Sequence, residues 1–307
     1  MFSCRTVSCT SGCFGDRLNT VCPPRTTTAR AGGTDLGRDA QGSADKTRAL
    51  HALALAGAVA ALAGTSPAAH AGPAITGDEQ PQSRILGGTG ATTEDAPWAV
   101  ALTDRYGNQY CGGTLIRAGE VITAAHCAHD PLTGSERAPE DIHVIAGRTD
   151  LRSSQGTEAE VADVWVHPGY EDFTTGNDLA VLKLTAPLPQ PPLPVVAPGD
   201  NAPYRPGGTA RVYGWGRTSE NGPASDTLRS VEVPITDDES CRTAYPNYDP
   251  RSMFCAGYPE GGRDACAGDS GGPIVADGRL IGVVSYGTGC GRPGTPGVYT
   301  RLSNYTP

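Results

Sequence analysis

The chain has no surplus of basic residues: 24 Lys and Arg stand against 33 Asp and Glu, a formal net charge of −9. From Ile85 onward the imbalance widens to 16 against 27. Polyanion binding draws on clustered cations, so this balance excludes a nucleic-acid partner and favours encounter with basic peptides. Charged residues are sparse altogether, at 19%, whereas glycine and proline number 41 and 26. Such a composition suits a turn-rich, all-β architecture better than a helical one. The apolar stretch 49–64 is too short for a membrane span, which needs roughly 20 residues, and it runs into Gly-Thr-Ser-Pro. No histidine follows His167, which restricts where a base for any downstream nucleophile can come from.

A downstream nucleophile is what Gly268-Asp269-Ser270-Gly271-Gly272-Pro273 suggests. Glycines on both sides let the backbone take a tight path and approach a ligand closely. A serine hydroxyl is a poor nucleophile at neutral pH and needs a base, usually histidine. The string fits the G-x-S-x-G elbow of α/β-hydrolases, in which the histidine comes after the serine. Here His51, His70, His126, His129, His143 and His167 all precede Ser270, so that order is excluded. A base, acid, nucleophile order remains.

His126 ends the apolar segment Val121-Ile122-Thr123-Ala124-Ala125 and is followed by Cys127. A metal site built from His126, Cys127 and His129 lacks the paired cysteines of a structural zinc centre. The acid between base and nucleophile is supplied by Asp178, directly before the apolar run 179–184. A carboxylate at the edge of a core can fix a histidine tautomer and stabilise the imidazolium. Thr175-Gly176-Asn177-Asp178 is equally good turn chemistry, so Asp178 alone decides nothing.

Together, Thr123-Ala124-Ala125-His126-Cys127, Asp178-Leu179-Ala180, Gly268-Asp269-Ser270-Gly271-Gly272-Pro273 and Arg84-Ile85-Leu86-Gly87-Gly88 closely resemble the signatures of the chymotrypsin/trypsin family of serine proteases. The resemblance runs from Ile85 to the end of the chain. It implies an all-β fold of two six-stranded antiparallel β-barrels with the active site in the cleft between them. His126 is then general base and acid, Asp178 its orienting partner and Ser270 the nucleophile, with the Gly268 and Ser270 amides as oxyanion hole. Asp264, six residues before Ser270, takes the place at the base of the primary pocket, where a carboxylate attracts Arg or Lys. Gly287 and Gly297 match open wall positions beside Ser285 and Tyr286; tryptophan is the commoner residue in place of Tyr286.

The same resemblance pairs Cys111 with Cys127, Cys241 with Cys255 and Cys266 with Cys290, each bridge worth roughly 2–4 kcal/mol. Disulfides need an oxidising compartment, so the chain is expected to be secreted. The family's calcium loop aligns with 147–158, where an arginine and few acids argue against a metal. No cofactor is implied. Protein or peptide substrates and proteinaceous inhibitors are the expected partners of a monomer.

Along the chain, 1–44 is an anomalous leader rich in Thr, Gly, Arg and Cys. Residues 45–71 have the charged, apolar and Ala-His-Ala segments of a signal peptide, so no membrane association is expected after processing. Residues 72–84 read as a propeptide; the resemblance implies that cleavage after Arg84 frees Ile85 to pair with Asp269. The first barrel is assigned to 85–195 and the second to 196–307, with the Pro-rich stretch 187–206 as linker. Strands are expected near 98–102, 119–123, 142–146, 161–166, 179–184, 210–213, 280–285 and 298–302. The family's C-terminal helix has no counterpart before Pro307. An inactive protease-like binding protein and an esterase on the same fold are the alternatives.

Overall fold

A computed structural model describes residues 85–305; the stretches read above as leader, signal peptide and propeptide, Arg84 included, lie outside the described residues. A two-residue strand, β1 (Thr89–Gly90), comes first. Then follow β2 (Ala99–Thr103), β3 (Gln109–Arg117), β4 (Glu120–Thr123), β5 (His143–Ala146), β6 (Thr157–Val166) and β7 (Ala180–Leu184). These last six close into an antiparallel barrel in the order β2-β3-β4-β7-β6-β5. Its interior is aliphatic, with Val100, Leu102, Leu115, Ile122, Val144 and Leu182 all buried. Closure leaves no unpaired edge in a chain this rich in short strands.

The second half forms β8 (Thr209–Gly214), β9 (Arg229–Pro234), β10 (Met253–Ala256), β11 (Pro273–Ala276), β12 (Arg279–Tyr286) and β13 (Gly297–Arg301). With β1 they make a seven-stranded sheet in the order β1-β9-β8-β11-β12-β13-β10. It differs from a fully laddered six-stranded barrel in two ways. β1 adds an extra strand against β9, and β9 meets β10 through the isolated Ile235–Ala256 bridge. The β11–β12 hairpin turns on Asp277-Gly278, both at positive φ (52° and 69°), the backbone twist that a two-residue hairpin loop requires. α1 (Asp238–Ala244), the one α-helix among the described residues, starts where the Asp237 side chain accepts the Ser240 N–H at 2.8 Å.

The Pro-rich connection is stitched to both halves. The Leu193 amide donates to the Leu115 carbonyl on β3, the Val196 amide donates to the Leu280 carbonyl, and the Leu280 amide donates to the Pro194 carbonyl. The two ends of the described chain cross over: β1 joins the second sheet, while the Tyr305 hydroxyl donates to Asn177 Oδ1 beside the first barrel at 3.0 Å. Both crossings brace the cleft that the two halves enclose. Among the described residues no helix is long and apolar enough to cross a membrane.

Candidate active site

Strand register brings the base and acid together. β4 and β7 are antiparallel with Thr123 opposite Ala180, so the residues just after β4 and just before β7 emerge at one barrel end. His126 lies there in a 3-10 turn, Ala125–Ala128, fastened by the Cys111–Cys127 disulfide. Asp178 faces it, with its Oδ2 2.8 Å from His126 Nδ1 and its Oδ1 accepting the His126 backbone N–H at 2.9 Å. The Ser285 hydroxyl, at the end of β12, donates to the same carboxylate at 2.6 Å. Asp178 is buried, and burial opposes its ionisation. The charge and hydrogen bonds of His126, with the Ser285 bond, outweigh burial and hold the carboxyl below its usual range. An ionised Asp178 requires hydrogen on Nδ1, which leaves Nε2 of the neutral ring as an acceptor.

Ser270 lies three residues before β11, on the opposite side of the cleft. The Gly271 and Val284 amides tie its loop to β12, and the Gly112 amide of β3 donates to the Ser270 carbonyl at 2.7 Å. Ser270 and His126 line one cavity of about 380 Å³, with no hydrogen bond between their side chains among the described residues. Hydrogen bonds of this kind tighten when substrate arrives. Among the described residues the Gly268 and Ser270 amides have no protein acceptor, whereas those of Asp269, Gly271 and Gly272 do. Two free amides beside a serine hydroxyl can bind a developing oxyanion.

Asp264 sits on the floor of the same cavity and is buried. Its Oδ2 accepts the Gly291 amide at 2.9 Å, while among the described residues Oδ1 has no partner. Burial pushes its pKa up to about 7, with the Gly291 and Ala265 amides pulling the other way. The neighbouring Tyr299 hydroxyl is also buried without a partner. Gly297 leaves room here: a Cβ on it would stand 2.7 Å from Asp264 Oδ1. At Gly287 a Cβ would meet nothing nearer than 3.5 Å, so the space there is open. Ser285 and Tyr286 line the cavity as expected, although the Ser285 hydroxyl is committed to Asp178.

Asp269 is wholly buried and has no cationic partner among the described residues. Its carboxylate accepts the Gly216 amide at 2.7 Å and the Cys266 amide at 2.9 Å. Burial pushes its pKa up to about 7 against those two bonds. Gly214 and Gly216 are glycine for a steric reason, since a Cβ on either would lie within 2.4 Å of that carboxylate. Ile85 is buried too, in a left-handed conformation (φ 42°), and the Leu86 carbonyl accepts the Asp264 amide. Arg84 falls outside the described residues.

The other bridges are Cys241–Cys255 and Cys266–Cys290, so all three expected pairs are present. Cys111, His126 and Cys127 cluster closely enough to suggest a metal site, but the two sulfurs are bonded to each other. In 147–158 the guanidinium of Arg148 fills the loop, donating to Gln155 O at 2.6 Å and Glu158 Oε1 at 2.9 Å. Several site residues were not singled out from sequence. Phe173 packs edge-on against His126 at 5.9 Å and lies 5.8 Å from Tyr286. Glu220, paired with Arg292, lines the cavity, and Gln109 reaches the Gly268 carbonyl. Only an upstream position near a motif could have flagged Gln109; Phe173 and Glu220 lie in loops without any local signature.

The Trypsin family model matches residues 85–307. Trypsin of Saccharopolyspora erythraea is 48% identical over 221 residues, which is 72% of this chain and 94% of the relative. Trypsin of Squalus acanthias is 36% identical over 225 residues, covering 72% of this chain and 93% of its own. Serine protease 1 of Rattus norvegicus is 36% identical over 239 residues, 76% of this chain and 92% of the relative.

Proposed function

This chain belongs to the trypsin family and is a serine endopeptidase, and on that footing we propose that it hydrolyses peptide bonds after Arg or Lys. The observation that carries the specificity is the buried, half-partnered Asp264 carboxylate on the floor of the cavity that holds His126 and Ser270. A guanidinium or ammonium entering that cavity supplies the missing donor and the opposite charge together.

In the proposed mechanism Ser270 Oγ attacks the scissile carbonyl carbon while His126 Nε2 takes its proton. Asp178 keeps the ring in the required tautomer and stabilises the imidazolium. The oxyanion of the tetrahedral adduct accepts the Gly268 and Ser270 amides. As the adduct collapses, the C–N bond breaks and the leaving amine takes the proton from His126, leaving an ester on Ser270. Water then attacks that ester, giving its proton to His126, and the second adduct releases the acid and restores the serine hydroxyl.

The reading extends to how the enzyme is made: a secreted zymogen cut after Arg84, whose new Ile85 ammonium pairs with Asp269. Two observations support it, the buried Ile85 and the buried Asp269 without a cationic partner among the described residues. A panel of peptide amides with Arg, Lys, Phe or Leu before the cleaved bond tests the specificity. Hydrolysis is expected after Arg and Lys and lost in Ser270→Ala; preference for Phe or Leu overturns the role of Asp264. Arg84→Gln is expected to stay inactive, and full activity without another cut refutes the zymogen.

A further inference from the structure

The four peptide groups around the nucleophile are held in a revealing way. Backbone carbonyls and amides buried in a fold almost all find partners, so each bond in this loop can be traced. The Ala267 carbonyl accepts the Arg217 amide, the Asp269 carbonyl accepts the Gly272 amide, and the Ser270 carbonyl accepts the Gly112 amide. The Gly268 carbonyl is different: it accepts a side chain, Gln109 Nε2, at 2.8 Å. Gln109 begins β3 in the first barrel, and the same Nε2 donates to the Cys111 carbonyl at 2.9 Å. Both acceptors are carbonyl oxygens, which fixes the amide orientation because the flipped group would oppose oxygen to oxygen.

We propose that Gln109 is a positioning residue for acyl transfer: its carboxamide spans the cleft from β3 and holds the Gly268 carbonyl, keeping the Gly268 amide aimed at the oxyanion. The need for such a clamp follows from Gly268 itself. Its φ is +97°, and a Cβ there would stand 3.0 Å from Gly216 Cα, so glycine is required. Glycine leaves the adjoining peptide planes free to rotate. The plane between Gly268 and Asp269 is gripped at its N–H end by the Cys266 carbonyl and at its C=O end by Gln109. Removing Gln109 frees one end of that plane. The other three carbonyls are held by main chain, so Gln109 is the one clamp in the set that a substitution can delete.

This inference rests on the serine-protease mechanism proposed above, and the test separates the two. Gln109→Leu removes the donor, and Gln109→Glu sets a further acceptor against two carbonyls. Three measurements compare each variant with wild type, both produced as the full chain and cut after Arg84. They are kcat and KM on an arginine peptide amide, affinity for an aryl amidine that occupies the Asp264 pocket, and inactivation rate by a small alkyl fluorophosphonate. The last reacts at Ser270 and uses the oxyanion amides without needing an arginine pocket.

In Gln109→Leu, kcat and the fluorophosphonate rate are expected to fall about three- to tenfold, the loss of one net hydrogen bond, and further in Gln109→Glu. KM and amidine affinity are expected to stay at wild-type values, which also shows that the variants are folded. Unchanged kcat and fluorophosphonate rates overturn the proposal. So does a loss of amidine affinity in proportion to kcat, because Gln109 would then support the pocket as a whole. A wild-type chain that reacts with fluorophosphonate but ignores arginine amides sinks only the Arg and Lys specificity. The fluorophosphonate rates of the variants still decide the role of Gln109.

Discussion

Binding of a cation at Asp264 should be strongly pH-dependent, and the size of the effect follows from its surroundings. Burial raises the Asp264 carboxyl from its ordinary value of 3.8 to about 7. A shift of about three units corresponds to roughly 4 kcal/mol favouring the neutral form. An arginine side chain or an aryl amidine binds the ionised form, so below the raised pKa each bound ligand must displace a proton. At pH 5, two units below it, about 1% of the empty sites are ionised, and affinity should be about 100-fold weaker than its plateau above pH 8. The assay is the inhibition constant of an aryl amidine from pH 5 to 8, with calorimetry in buffers of different ionisation enthalpy to count the protons released.

His126 lines the same cavity, so the series is repeated in His126→Ala. The slope attributable to Asp264 survives there, whereas Asp264→Asn loses both the plateau affinity and the slope. An affinity that changes less than about threefold between pH 5 and 8 in His126→Ala refutes the reasoning. It would mean that Asp264 is already ionised in the empty cavity, with its Oδ1 better solvated than its burial and lack of a partner imply.

Asp269 gives a stability prediction of the opposite kind. Its folded pKa is raised to about 7, so between about pH 4 and 7 the folded chain holds a proton that the unfolded chain has lost. Stability of the uncut chain therefore falls as pH rises through that window, by roughly 4 kcal/mol for this group. Urea unfolding of Arg84→Gln from pH 4 to 8 reads it; a pH dependence unchanged in Asp269→Asn counts against it. Phe173 is 39% exposed beside His126 and Tyr286, where an apolar side chain upstream of the cleaved residue can pack against both rings. Phe173→Ala should lower kcat/KM about three- to tenfold on peptides with such a side chain and leave single-residue arginine amides untouched. Equal losses on both substrates would mean that Phe173 only supports its loop.

The catalytic and pocket candidates were legible because their chemistry is concentrated in short strings. A histidine after a buried strand, an aspartate before one and a serine among glycines each occupy a few consecutive residues. Strands were legible where the residues are apolar and unbroken, as in β7 and β12. They were missed where a functional constraint interrupts the pattern. β3 carries Gly112-Gly113 because a Cβ on Gly112 would press on Gly272 and one on Gly113 on Val121. β11 opens on Pro273 directly after the nucleophile loop, and β10 has only four residues. β1 has two exposed residues and owes its existence to β9 alone. Gln109 and Phe173 escaped notice because their roles depend on partners 159 and 47 residues away, distances at which no local pattern exists.

Asp178, Asp264 and Asp269 show why the motif alone does not explain the site. All three are buried aspartates, and burial acts on each in the same direction. Asp178 ends below the ordinary carboxylate range because the fold sends it a histidine from its own barrel and a serine hydroxyl from the other. Among the described residues Asp264 and Asp269 receive only backbone amides, and both end well above that range. An internally completed carboxylate is suited to holding a histidine through every turnover. An incompletely compensated one is suited to sensing the arrival of a positive charge, because ionising it is costly until that charge comes. The chain places two such groups five residues apart on one loop, flanking the amide of Gly268. A cation at either therefore acts on the backbone segment that must be ordered before Ser270 can transfer an acyl group.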